Sequence, residues 1–242
     1  MNRMGTSKGY LPPTGYLWPD VKRDVTKMVK DNFSSFSINK AVSNFAKAMN
    51  SSGGSGSNAR QAIQSSRKAI SFIDSVRKYG LSETLDRFGL SHLKNESPEN
   101  VRKGLLKYFS DSGNEFYNSI SNQTMNELMR ELFKGIDDFE GYEEVLKTLN
   151  TEIFIQEFII KFIQNCFFAN FTEKLLSLFD NLDKYQVAEK NVKTYIRNSI
   201  EKNFSINKIQ DIDWSGQEGN EVLNNTYRKT LEMLSAWSEI NV

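Results

Sequence analysis

The residues of this 242-residue chain whose types could do chemistry are few and scattered. The one histidine, His92, lies in Gly89-Leu90-Ser91-His92-Leu93, just past an expected helix end. A lone histidine excludes every two-histidine metal motif, and a Ser-His-Asp triad would have to use His92 as its base. Its position reads as structural or solvent-exposed. The one cysteine, Cys166, excludes an internal disulfide framework and any multi-cysteine zinc or iron–sulfur site. Among Ile163, Phe167 and Phe168 it reads as a small buried hydrophobe. The acids Asp137, Asp138, Glu140, Glu143 and Glu144 are dense enough to hold a hard cation. They lack the alternating ligands and closing glutamate of a calcium loop, so a solvated acidic face is the expectation. In Asp211-Ile212-Asp213-Trp214-Ser215-Gly216-Gln217-Glu218-Gly219, Asp213 or Ser215 could cap the last helix, and Gly216 or Gly219 could admit a close backbone. Asp211 and Asp213 also leave a ligand site open there. Ser51 to Ser57 superficially resembles a phosphate loop, but it lacks the Gly-Lys-Ser/Thr ending and follows no strand. No nucleophile–base pair, dinucleotide fingerprint or ligand cluster emerges. The expectation is therefore no catalytic residue, no metal, no cofactor and no enzyme activity.

The elements that would position these groups are helical. Pro19 suits a first helical turn, followed by Val21, Val25, Met28 and Val29 at helical spacing. A second helix is expected over 38–49, and a long one over 58–79 with Ala59, Ala62, Ile63, Ala69, Ile70, Ile73 and Val76 in one stripe. Gly80 and Gly89 bracket a short helix. Ser97-Pro98-Glu99 combines a capping serine, a first-turn proline and an acid. Helices follow over 114–135 and, after a loop through 137–144, over a further short stretch. The span 153–171 is apolar almost all round, which predicts a central helix. Amphipathic helices over 185–204 and at the carboxy terminus complete the chain. Sustained period-two alternation is absent, so the fold class is all-α: one irregular helical domain of about eight to ten helices with an extended amino-terminal tail. Four regions are expected: a Gly/Pro-containing tail over 1–18, short basic helices over 19–50, a Gly/Ser-rich linker over 51–58 and a helical body over 59–242.

Charge divides along the chain. Residues 1–80 hold 13 Lys and Arg against 4 Asp and Glu, a net +9, and the remainder carries −8. Either an anionic partner meets the front half or the halves neutralise one another. Arg60, Arg67, Lys68, Arg77 and Lys78 on the third helix are the candidate anion-binding residues, which keeps a nucleic-acid-binding module as the alternative function. No run reaches the roughly 18 apolar residues of a membrane span, and the basic start leads into Gly, Pro and Lys rather than a secretory apolar run. With one cysteine, the expected place is the cytoplasm, without a membrane partner.

The amino terminus reads Met-Asn-Arg-Met-Gly-Thr-Ser-Lys-Gly-Tyr-Leu-Pro-Pro. Gly5, Gly9, Pro12, Pro13 and Gly15 discourage helix and strand, while Tyr10, Tyr16, Leu17 and Trp18 favour docking on a partner or on the body itself. Met4-Gly5-Thr6-Ser7-Lys8-Gly9-Tyr10 with Pro12-Pro13 resembles the opening of the QatB family, a component of the bacterial Qat anti-phage defence system. Phe88 to Leu93, Ser97 to Val101, Tyr195-Ile196-Arg197 and Asp213 to Gly219 are similar to later family segments. The resemblance implies a non-catalytic adaptor acting beside an ATPase, a TatD-like nuclease and a QueC-like ATP-dependent enzyme (QatC-type). It also implies that the QueC-like partner attaches a deazaguanine-type nucleobase to a terminal glycine, here Gly5. Thr6, Ser7, Lys8, Gly9, Tyr10, Pro12 and Pro13 would then be the partner-binding tail. A terminal amine has a pKa near 8, and glycine has no Cβ to obstruct an acyl donor. Gly5 presents that amine where translation starts at Met4 and the methionine is removed, or where the tail is trimmed. Lipidation is disfavoured because Gly9 occupies the position where myristoylation wants Ser or Thr.

Overall fold

Apolar residues at three- and four-residue spacing give ten α-helices among the described residues of the computed structural model, which are 15–51, 57–110, 116–179, 181–206 and 212–240. They are α1 (Trp18–Lys30), α2 (Ser35–Ser51), α3 (Ser57–Tyr79), α4 (Leu81–Arg87) and α5 (Pro98–Phe109). Then come α6 (Phe116–Leu132), α7 (Phe139–Thr148), α8 (Thr151–Leu178), α9 (Leu182–Glu201) and α10 (Gln217–Ile240). A single 3-10 turn, Ser91–Leu93, joins α4 to α5, and no strand occurs among the described residues. The all-α expectation holds.

Local chemistry sets the helix starts. Ser97 Oγ accepts from Asn100 N at 3.4 Å ahead of Pro98. Asn150 accepts from Ile153 N at 3.0 Å, and Asn181 from Lys184 N at 2.9 Å. Each such cap satisfies an otherwise orphaned N–H and is worth about 1 kcal/mol. The acidic stretch expected as a loop lies mostly inside α7. Asp138 is its cap, accepting from Gly141 N at 2.6 Å, and buried Tyr142 and Leu146 hold the helix to the core.

The 28-residue α8 is the axis of the fold, about 42 Å long at 1.5 Å per residue. Phe154, Phe158, Phe162, Phe167 and Phe171 are all buried along it. It extends beyond the expected 153–171 because Leu175 is also buried, against the other helices. Its three buried polar side chains are satisfied: Thr151 accepts from Arg77 Nη1 at 2.8 Å, Gln164 donates to Lys193 O at 2.8 Å, and Asn165 to Thr124 Oγ1 at 3.0 Å and Glu127 Oε2 at 3.1 Å. Helices α1, α3, α6 and α9 pack on α8, while α10 closes over α2 and α3. One continuous core therefore runs from Trp18 to Leu234. No helix among the described residues is long and apolar enough to cross a membrane.

Candidate functional site

The amino-terminal segment joins the body through Trp18. Its N–H donates to Gly15 O at 3.2 Å, and Pro19 follows in the first turn of α1. The indole is 3% exposed, edge-on to Phe45 at 6.0 Å and tilted against Phe171 at 6.3 Å. Burying an aromatic of this size dominates its local energetics. Two residues earlier Tyr16 is 82% exposed. Of the two docking modes expected for this segment, on a partner or on the body itself, Trp18 takes the second, with Leu17 partly buried beside it. Gly5, Thr6, Ser7, Lys8, Gly9, Tyr10, Pro12 and Pro13 lie outside the described residues.

The five candidate cations of α3 do not converge. Arg77 turns inward: Nη1 donates to Thr151 Oγ1 at 2.8 Å, Nε to Lys147 O at 3.4 Å, and Nη2 to Leu149 O. Burial lowers the pKa of its guanidinium, though it stays charged at neutral pH. It ties the end of α7 to the start of α8. Lys78 pairs with Asp74 at 2.8 Å, and that hydrogen bond raises the ammonium's pKa. Arg67 reaches Ser215 O at 3.4 Å, ahead of α10. Arg60 is exposed and Lys68 half-buried.

Three of the candidate acids, Asp138, Glu143 and Asp213, are committed to structure. Asp213 Oδ1 accepts from Ser215 N at 3.0 Å and Ser215 Oγ at 2.6 Å. These bonds, the Ser215 hydroxyl first, hold its pKa below the usual carboxylate range. Its carbonyl accepts from Gly216 N and Gly219 N, each at 3.2 Å. Asp213 thus organises the entry to α10, and Asp211 lies outside the described residues. Glu143 accepts from Lys147 Nζ, and from Leu81 N at 2.9 Å, which lowers its pKa. Among the described residues no group of three potential ligands could hold a metal ion. Cys166 is buried, and desolvation pushes its thiol pKa well up, away from nucleophilic thiolate chemistry. His92 is exposed in the 3-10 turn.

One cleft was not anticipated from sequence. It has a volume of about 650 Å³ and is lined by Arg102, Arg130, Glu99, Asp137, Phe133 and Tyr142 among others. The Phe133 and Tyr142 rings stack at 4.0 Å and 3°. Arg102 is already spent, donating from Nε and Nη2 to Glu99 at 3.0 and 2.8 Å and from Nη1 to Asn126 at 3.1 Å. That pairing drops the Glu99 pKa to about 2. Only the Ser97 start was legible there, since Arg102, Arg130 and Tyr142 come from three separate helices or turns.

A family model described as Qat anti-phage system associated protein QatB matches residues 53–234, from just ahead of α3 into α10. No curated protein and no solved structure matches the chain.

Proposed function

The chain belongs to the QatB family of Qat anti-phage system proteins, and on that premise we propose that it serves the defence system as a non-catalytic adaptor and protein substrate. In this reading a QueC-like ATP-dependent partner conjugates a deazaguanine-type nucleobase to the amine of Gly5. The observation that carries it is the Trp18 anchor. A buried indole fixes where the amino-terminal segment meets the body, and the exposed Tyr16 precedes it. Asp138, Glu143, Asp213, Arg77 and Cys166 are engaged in caps, helix ties and core packing.

The chemistry asks little of this chain. A carboxylate on the nucleobase attacks the α-phosphorus of ATP, the bond to pyrophosphate breaks, and an acyl adenylate, a mixed anhydride, forms. The neutral Gly5 amine attacks the acyl carbon, a C–N amide bond forms, and the AMP leaving group departs with the bonding pair. The amine proton passes to solvent or to a base of the partner. An amine with pKa near 8 is partly neutral at pH 7.5, and the missing Cβ leaves the approach open.

Reconstitution tests this. Chain beginning at Gly5 is incubated with the purified QueC-like enzyme, ATP and a carboxylated deazaguanine. A mass increase confined to Gly5 by fragmentation is expected, with none on chain that keeps Met1. Equal modification of both, or of neither, overturns the reading.

Nucleic-acid binding through α3 remains the second reading, favoured by exposed Arg60 and by Lys68. It predicts gel-shift affinity that falls steeply with salt. Absence of binding at 50 mM salt, or binding insensitive to salt, removes it.

A further inference from the structure

The outer face of α1 and the corner beyond it form a surface that the account above leaves unused. Trp18, Val21, Asp24, Val25 and Met28 face the core. At helical spacing Lys22, Arg23, Lys27 and Lys30 fall on the opposite arc, and all four are exposed. Arg23 pairs with Asp20 at 2.8 Å, whereas Lys22, Lys27 and Lys30 have no ion-pair partner among the described residues.

At the end of this stripe the chain turns through two non-glycine residues with positive φ, Asn32 at 49° and Phe33 at 56°. Asn32 N donates to Val29 O at 3.1 Å and Phe33 N to Met28 O at 2.9 Å. A phenylalanine in the left-handed region is costly and persists only where its surroundings hold it. Here its ring stacks on Phe179 at 5.7 Å and 14°, joining the α1–α2 corner to the α8–α9 corner. Phe36, three residues from Phe33, is 62% exposed. Leu176, Leu178 and Leu182, within three residues of Phe179, are exposed as well, as is Val187 near the packed Tyr185. The strained Phe33 thus ties the two corners together, and exposed apolar side chains flank the joint in sequence on both.

We propose that the α1 stripe and this corner are one docking surface for an acidic protein face that bears aliphatic side chains. The partner it fits is the enzyme that acts on the amino-terminal segment, because that segment enters the body at the start of the same helix. This identity rests on the conjugation reading above. The three unpaired lysines call for carboxylates, and the leucines call for an apolar counterpart. A bilayer fits poorly, since the apolar side of α1 is already buried in the core. Nucleic acid also fits poorly, since four of the five corner residues are aliphatic and give bases little to stack on.

The test compares chain running from Gly5 to Val242 with K22E/K27E/K30E and, separately, L182S as substrates of the QueC-like enzyme. All altered side chains are exposed, and thermal melts verify the fold. Expected is a KM raised about tenfold or more for the charge reversal and several-fold for L182S, with kcat at saturation retained. Raising salt from 50 to 300 mM should weaken wild type but hardly the reversed variant. Unchanged KM in both variants overturns the docking surface and leaves conjugation standing. Failure to modify wild type removes the conjugation reading, and the docking assignment with it. In parallel arms, a 30-nucleotide single strand and phosphatidylglycerol vesicles serve as probes. If charge reversal abolishes binding to either while leaving KM unchanged, the surface belongs to that ligand and the proposal falls.

Discussion

Arg77 shares a helix with Arg60, Arg67, Lys68 and Lys78, yet its guanidinium serves carbonyls about 70 residues away in sequence. Arg77→Ala would leave the Lys147 and Leu149 carbonyls and the Thr151 hydroxyl without their donor, costing about 1–3 kcal/mol. Arg77→Lys would keep the charge but not the fork that spans three acceptors, so denaturant midpoints should show little rescue. Full recovery by lysine would contradict the structural role. That α3 is basic was legible in the sequence. The inward turn of Arg77 was not, because its partners sit on a helix end that only the tertiary fold brings near. The same holds for Arg197, which donates to both oxygens of Glu157 at 2.5 and 2.8 Å across α8 and α9. That pairing holds the Glu157 carboxyl below its ordinary 4.5. A folded-state pKa below the unfolded one adds stability that is complete above about pH 4.5 and is lost as pH falls through the lowered value. Glu157→Gln should therefore flatten the acid limb of a stability–pH curve. An unchanged limb would show that the pair contributes nothing.

At the level of elements, the starts of α1 and α5 and the stripe of α3 could be read directly, because caps, prolines and period are local signals. The start of α7 was misplaced, because the acids of 137–144 look like a loop until Tyr142 and Leu146 find the core. The corner between Trp214 and α10 carries a constraint that sequence could only suggest. A Cβ on Gly219 would lie 2.7 Å from Trp214 Cα, which is backbone and cannot give way. A Cβ on Gly104 would meet Leu93 Cδ1 and Cδ2 at 2.6 Å, atoms at the end of a flexible side chain. Gly219→Ala should thus lower the melting temperature clearly more than Gly104→Ala, where gained helix propensity of about 1 kcal/mol offsets the leucine's movement. Equal losses would mean that the corner relaxes.

For the molecule as a whole, a basic front precedes an acidic remainder, and Lys78 of the front lies close enough to Asp213 of the remainder to lower that carboxyl's pKa. Two ion pairs of the front are local, Arg23 with Asp20 and Lys78 with Asp74. Those of the remainder are internal, such as Arg197 with Glu157 and Lys161 with Glu131. The positive charge of α1 is left facing outward, beside the entry of the segment that carries Gly5. Composition could report the imbalance but not its direction, since that depends on which side of α1 packs on α2 and α8. The most direct test is the intact mass of this chain purified from phage-resistant cells expressing the complete defence system. The account predicts a chain that begins at Gly5 and carries one added deazaguanine-type acyl group. An unmodified chain that retains Met1, from cells that still resist phage, would contradict it.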